Sequence, residues 1–117
     1  MSKHLATGRQ GEELAAAYLT GQGFEVVARN YRHRRAEIDL IVRRAQLLVF
    51  VEVKTRRSAA YGLPEAAVTP AKAARVIRAA EQYLSENNWL HEIRFDIVSV
   101  LLVDGAAEIE HLEDAFY

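Results

Sequence analysis

The six residues Val49-Phe50-Val51-Glu52-Val53-Lys54 constrain this chain more than any other stretch of it. β-Branched and aromatic side chains favour a strand, and strand alternation puts Glu52 and Lys54 on one face, with Val51 and Val53 on the other. Two opposite charges inside an apolar strand are costly unless they are partnered or reach a solvated cleft. Taken alone, the pair also suits an exposed strand face carrying a cross-strand ion pair.

A second acid-bearing strand precedes it. In Ala36-Glu37-Ile38-Asp39-Leu40-Ile41-Val42, Glu37 and Asp39 share a face by the same alternation. A hairpin around Arg43 to Gln46 pairs Val42 with Leu47, which sets Asp39 opposite Phe50 and diagonal to Glu52. Two carboxylates at that spacing repel each other, and a hard divalent cation such as Mg²⁺ or Mn²⁺ relieves the repulsion. Asp39 and Glu52 are therefore the expected metal ligands. A metal there would activate water and neutralise phosphate charge, while Lys54 orients the water or stabilises the transition state. Glu12 is a further carboxylate on the first helix, ligating directly or through water; alone, it reads as an ordinary solvent-facing acid.

Around these strands the chain reads as a single α/β domain over residues 1–117, ordered helix, three strands, helix, two strands. Helical periodicity runs from Leu5 to Thr20, with Gly8, Gly11, Leu14, Ala15, Tyr18 and Leu19 on one arc, and Gly21-Gln22-Gly23 stops it. Strands are expected over Phe24–Asn30, Ala36–Val42 and Leu47–Thr55, as an antiparallel meander with polar connections. Arg56 to Val68 reads as a loop of thirteen residues, a length more common in functional loops. Thr69-Pro70 caps a helix to about Ser85 that buries Ala73, Val76, Ile77, Ala80, Tyr83 and Leu84. Strands over Ile93–Val103 and Ala107–His111 close the chain, joined at Asp104-Gly105. The expected architecture is a mixed sheet flanked by the two helices.

Charge is segregated along this order. Residues 29–78 hold twelve of the 15 basic residues and four of the 16 acids, a balance of +8 against −9 elsewhere. A basic zone of this kind attracts a polyanion, although a solvated arginine-rich surface has the same composition. Arg32, Arg34, Arg35, Arg56, Arg57, Lys72 and Arg75 are the candidate phosphate contacts, which position a strand without reading its sequence. Zero cysteines exclude disulfides, thiolate metal sites and cysteine nucleophiles. The four histidines are scattered, and no P-loop or G-x-G-x-x-G is present, so zinc and nucleotide-dependent chemistry are not expected. No stretch approaches the roughly 18 apolar residues of a membrane span, and the first ten residues lack a secretory core. A cytoplasmic protein without membrane partners is the expectation. Trp89 reads as a packing residue, Tyr31 as a partly buried hairpin tyrosine rather than a base-stacking platform, and Asp96 as a salt-bridge partner of Arg94 or a neighbour.

Gly11-Glu12, Asn30-Tyr31-Arg32, Glu37-Ile38-Asp39-Leu40-Ile41, Phe50-Val51-Glu52-Val53-Lys54-Thr55-Arg56, Lys72, Arg94-Phe95-Asp96 and the closing Ala115-Phe116 together resemble the YraN-like family of small bacterial proteins. The resemblance covers almost the whole chain. That family is similar to the restriction-endonuclease-like superfamily, whose signature is an acid followed by Asp/Glu-x-Lys, and in layout to archaeal Holliday-junction resolvases, which place a glutamate on the first helix. The resemblance implies a restriction-endonuclease-like fold with Glu12, Asp39, Glu52 and Lys54 as the site. Two positions depart from the pattern: Ala36 stands where the family usually has glycine, and Ile38 where the signature has proline.

The leading expectation is a Mg²⁺- or Mn²⁺-dependent endonuclease acting on structured or branched DNA. The alternatives are a nucleic-acid-binding or adaptor protein on the same scaffold without efficient turnover, and a structural partner protein whose acids and Lys54 form surface ion pairs. A symmetric homodimer is compatible with so short a chain.

Overall fold

The first helix, α1 (Lys3–Gly21), is followed by three antiparallel strands, β1 (Glu25–His33), β2 (Ala36–Arg44) and β3 (Leu47–Arg56). Helix α2 (Pro70–Glu86) then leads to β4 (Glu92–Val103) and β5 (Ala106–Leu112). These elements come from a computed structural model that describes residues 3–57 and 68–116. The five strands lie in sequence order in one sheet, with β3 and β4 parallel and all other neighbours antiparallel. A parallel pair needs a crossover, and α2 supplies it. The expected element order and mixed sheet are both present. Most of the expected Arg56–Val68 loop lies outside the described residues.

Local chemistry explains the helix ends. Gly23, at φ 93, takes the left-handed position after α1. The Gly23 N–H donates to Thr20 O and the Phe24 N–H to Leu19 O, both at 3.0 Å, a Schellman closure in which Phe24 and Leu19 enter the same cluster. At α2, the Thr69 hydroxyl accepts the Lys72 N–H at 3.2 Å and Pro70 occupies the first turn.

Each helix covers one face of the sheet. On the α1 face, Ala15, Ala16 and Leu19 pack with Leu40, Val42, Val49, Val51, Val98 and Val100. On the α2 face, Val76, Ala79 and Ala80 pack with Ile38, Ile41, Phe50, Phe95, Ile97 and Phe116. Trp89 is partly buried against the α2 cluster, its Nε1–H donating to Glu92 O. The expected arc of α1 needs one adjustment: Gly8 meets nothing within 4 Å, whereas a Cβ on Gly11 would lie 1.7 Å from Thr55 Oγ1. Gly11 is therefore where the α1 backbone comes down onto β3.

The fully buried Asp96 is tied on every side. Arg94 donates to it twice, at 2.8 and 2.9 Å, and the Asp114 N–H at 3.0 Å. His111 Nε2 lies 2.7 Å from Asp96 and Nδ1 lies 3.2 Å from the Tyr18 hydroxyl. With a proton on Nε2, His111 donates to Asp96 while Nδ1 meets the Tyr18 hydroxyl. The expected Arg94 salt bridge is thus one part of a network joining α1, β4, β5 and the C-terminal segment.

Two local expectations are corrected. Strand β1 continues through Tyr31, Arg32 and His33, because the connection to β2 is only Arg34-Arg35, with Arg34 at φ 58. The β2–β3 connection is equally short, Ala45-Gln46 with Ala45 at φ 54, so Arg44 pairs with Leu47. The pairing therefore differs by two residues from the expected Val42–Leu47 register.

Candidate active site

The β2–β3 register leaves the two acids at one cleft. Strands β2 and β3 pair as far as Leu40 and Val51, so Asp39 and Glu52 are the residues that follow the last pair. There the ladder gives way to a side chain, because the Val53 N–H donates to Asp39 Oδ2 at 2.8 Å. On the β1 side, Asn30 lies between the pairs Arg29–Leu40 and Tyr31–Ile38 and takes φ 49, a conformation asparagine tolerates better than most residues. Its Nδ2 donates to Glu12 at 3.1 Å and to Glu37 at 3.0 Å. Asn30 thus links the helix acid to the strand acids.

Glu12, Asp39, Glu52 and Lys54 all line one cleft of about 300 Å³, together with Lys72. They arrive from three elements, α1, β2 and β3. Glu12 comes close because Gly11 has no side chain to hold α1 off Thr55. Lys54 is exposed at this cleft, while Glu52 is 8% exposed. Lys72, from the first turn of α2, forms an ion pair with Glu52. Asp39 and Glu52 also line an adjoining cavity of about 240 Å³ with Glu37, Lys72, Arg35 and Arg75.

Burial, and then the charge of Glu52, pushes the Asp39 carboxyl up to about 8; Glu12 adds to the rise, against the Val53 N–H and Lys72. Burial likewise raises Glu52, opposed by the Lys72 ammonium that pairs with it. The acid cluster is thus short of positive charge, and its donors are oxygens, the type preferred by Mg²⁺ and Mn²⁺. Among the described residues no three acidic or histidine side chains stand at ligand spacing. A cation would therefore draw on Asp39 and Glu52, with water completing its shell. This arrangement suits Mg²⁺, which commonly keeps several waters.

The expected phosphate contacts divide. Arg34, Arg35 and Arg75 gather at a cleft of about 650 Å³, joined there by Arg78. Arg32 is paired with Glu37 at 3.1 Å, and Lys72 sits within the acid cluster rather than on a free basic face. Arg56 and Arg57 lie elsewhere: Arg56 donates to Ser99 at 3.4 Å and Arg57 to Thr7 at 3.1 Å. Tyr31 packs edge-on against Tyr83 and donates its hydroxyl to Glu86 at 2.6 Å, which leaves it a packing residue. Sequence reasoning gave Asn30 no role and missed the Lys72–Glu52 pair. The only signal for either was its presence among the residues that carry the family resemblance.

A family model described as "Uncharacterised protein family UPF0102" matches residues 11–100. The chain belongs to the UPF0102 family. This is the YraN-like family that the sequence resembles. A UPF0102 protein of Anaeromyxobacter dehalogenans is 47% identical over 112 residues, covering 95% of this chain and 84% of that protein. One from Rhodococcus opacus is 46% identical over 119 residues, covering 99% of this chain and 100% of its own. A third, from Syntrophomonas wolfei, is 47% identical over 110 residues, with 93% and 96% covered. The UPF0102 match contains Glu12, Asp39, Glu52, Lys54 and Lys72.

Proposed function

We propose that this UPF0102 protein is a Mg²⁺- or Mn²⁺-dependent endonuclease that hydrolyses phosphodiester bonds in structured or branched DNA. The observation that supports it is the convergence of Glu12, Asp39, Glu52 and Lys54 on one cleft. Asp39 and Glu52 would hold the cation, with Glu12 a further carboxylate directly or through water. When bound, such a cation lowers the pKa of water and neutralises phosphate charge. Lys54 Nζ donates to a non-bridging phosphate oxygen and stabilises the charge that builds on phosphorus. The Glu12 carboxylate, held by Asn30 Nδ2, accepts a hydrogen bond from the attacking water and fixes its direction. A cation held between Asp39 and Glu52 would offset the burial and like-charge repulsion that raise both carboxyls.

The restriction-endonuclease-like assignment and the preference for branched DNA rest on the resemblance to Holliday-junction resolvases. A symmetric homodimer acting in the cytoplasm is the assembly proposed for such a substrate. No helix among the described residues is long and apolar enough to cross a membrane.

Cleavage of a four-way DNA junction in Mn²⁺, beside a linear duplex of the same sequence, tests the proposal. Wild type is expected to cut the junction, and Glu12→Ala and Lys54→Ala to abolish cutting while sparing most of the binding. Both variants cutting at the wild-type rate would mean that the assigned site is wrong. A second reading, a nucleic-acid-binding or adaptor protein without efficient turnover, draws on the Lys72 ion pair at Glu52. Binding of the junction by wild type without any cleavage selects it.

A further inference from the structure

We propose that the cleft between the β1–β2 turn and α2 is a second phosphate site, which grips a nucleic-acid strand without metal at a phosphate other than the one presented to the acids. This deepens the nuclease reading and rests on it for the identity of the ligand. One wall carries His33, Arg34 and Arg35 from the hairpin tip; the other carries Arg75, Arg78, Glu81 and Gln82 from α2. The enclosed volume, about 650 Å³, is larger than a lone phosphate needs and falls within the range of small-ligand sites.

The state of the arginines is what distinguishes this cleft. Arg29, Arg32 and Arg94 are each paired with a carboxylate. Arg34, Arg35, Arg75 and Arg78 form no salt bridge or side-chain hydrogen bond with another described residue, and all four are exposed. Among the described residues that line the cleft, four guanidiniums face the single carboxylate of Glu81, a net positive charge. Their repulsion is relieved by an anion, and a planar guanidinium fits phosphate through two parallel hydrogen bonds. Among the described residues, no aromatic ring other than the His33 imidazole lines the cleft, so these side chains offer contacts to phosphate rather than to bases and are indifferent to sequence.

Continuity gives the site its purpose. Arg35 and Arg75 line both this cleft and the cavity that contains Asp39 and Glu52. A strand anchored in the arginine cleft therefore leads directly to the acids, and the anchor selects which phosphodiester arrives there.

The test is fluorescence anisotropy of the full chain with a labelled single-stranded deoxythymidine oligonucleotide, in EDTA, across a salt series. Arg34→Ala/Arg78→Ala is expected to weaken binding by tenfold or more, since charge-assisted contacts to phosphate are lost, and to lower the slope of log K against log salt by about 1.4. Glu81→Gln is expected to tighten binding. Asp39→Asn/Glu52→Gln is expected to bind at least as well as wild type. Wild-type affinity and slope in the arginine variant, or no metal-free binding by wild type, overturns the proposal. Cleavage plays no part in this readout, so failure of the nuclease reading shows in the junction assay and failure of the phosphate site shows here.

Discussion

Replacing Gly11 with alanine tests whether the α1 backbone docks on β3 at Thr55. A Cβ there would lie 1.7 Å from Thr55 Oγ1, 2.7 Å from its Cβ and 2.8 Å from its Cγ2. Rotating Thr55 does not cure this, because its Cβ stays within the forbidden range whatever χ1 it adopts. With Thr55 rotated, restoring its Cβ contact from 2.7 Å to an ordinary 3.4 Å still takes a retreat of about 0.7 Å by the helix or the strand. Overlap this deep belongs at the upper end of overpacking costs, about 3 kcal/mol. Alanine returns about 1 kcal/mol through helix propensity, which leaves a net loss of about 2 kcal/mol. Gly8→Ala is the matched control, since that position meets nothing within 4 Å and should gain up to about 1 kcal/mol. Urea denaturation followed by circular dichroism measures both. Equal gains in the two variants would refute the docking of α1 at Thr55, and with it the placement of Glu12. A retreat of that size also carries Glu12 away from Asp39 and, in a nuclease, costs on the order of 100-fold in turnover.

Two further predictions concern charge. The Asp39 carboxyl is held near 8 in the folded chain against 3.8 ordinarily, so the folded state binds the extra proton between those values. Its contribution to stability is complete below the ordinary value and is lost as pH rises through about 8. Asp39→Asn keeps an acceptor for the Val53 N–H and removes the titration, so its thermal midpoint should exceed that of wild type by a margin that grows from pH 5 to about pH 8. A constant margin across thermal melts in that range would contradict the burial argument. Asp96→Ala strips a fully buried carboxylate from Arg94 and His111, and urea unfolding should show a loss of about 3–5 kcal/mol. A loss well under 1 kcal/mol would mean the network is not closed in solution.

Much of this fold was legible because its patterns are local. Alternation marked the acid-bearing strands, Gly21-Gln22-Gly23 marked the end of α1, and Thr69-Pro70 the start of α2. What was not legible depended on geometry beyond the local pattern. Tyr31-Arg32-His33 reads as a polar connection, yet β1 is an edge strand whose exposed face tolerates such residues. Ala45 gives no hint of the left-handed φ that makes the β2–β3 turn two residues long, so the register was misjudged. That shift put Asp39 and Glu52 directly after the last Leu40–Val51 pair and left the members of the acid pair unchanged. Helical spacing identified Lys72, Arg75 and Arg78 as basic positions on α2. It had no means of showing that Lys72 turns to Glu52 while Arg75 and Arg78 face the hairpin tip. Asn30 was invisible for a related reason: its reach to Glu12 and Glu37 depends on a positive φ within a strand.

The proposed cation site at Asp39 and Glu52 is tested most directly by calorimetric titration of Mn²⁺ into the chain without nucleic acid. Saturable binding by wild type, absent from Asp39→Asn/Glu52→Gln, is the predicted result. Identical weak heats in both proteins would contradict the account and leave a scaffold that does no metal-assisted phosphodiester chemistry by itself.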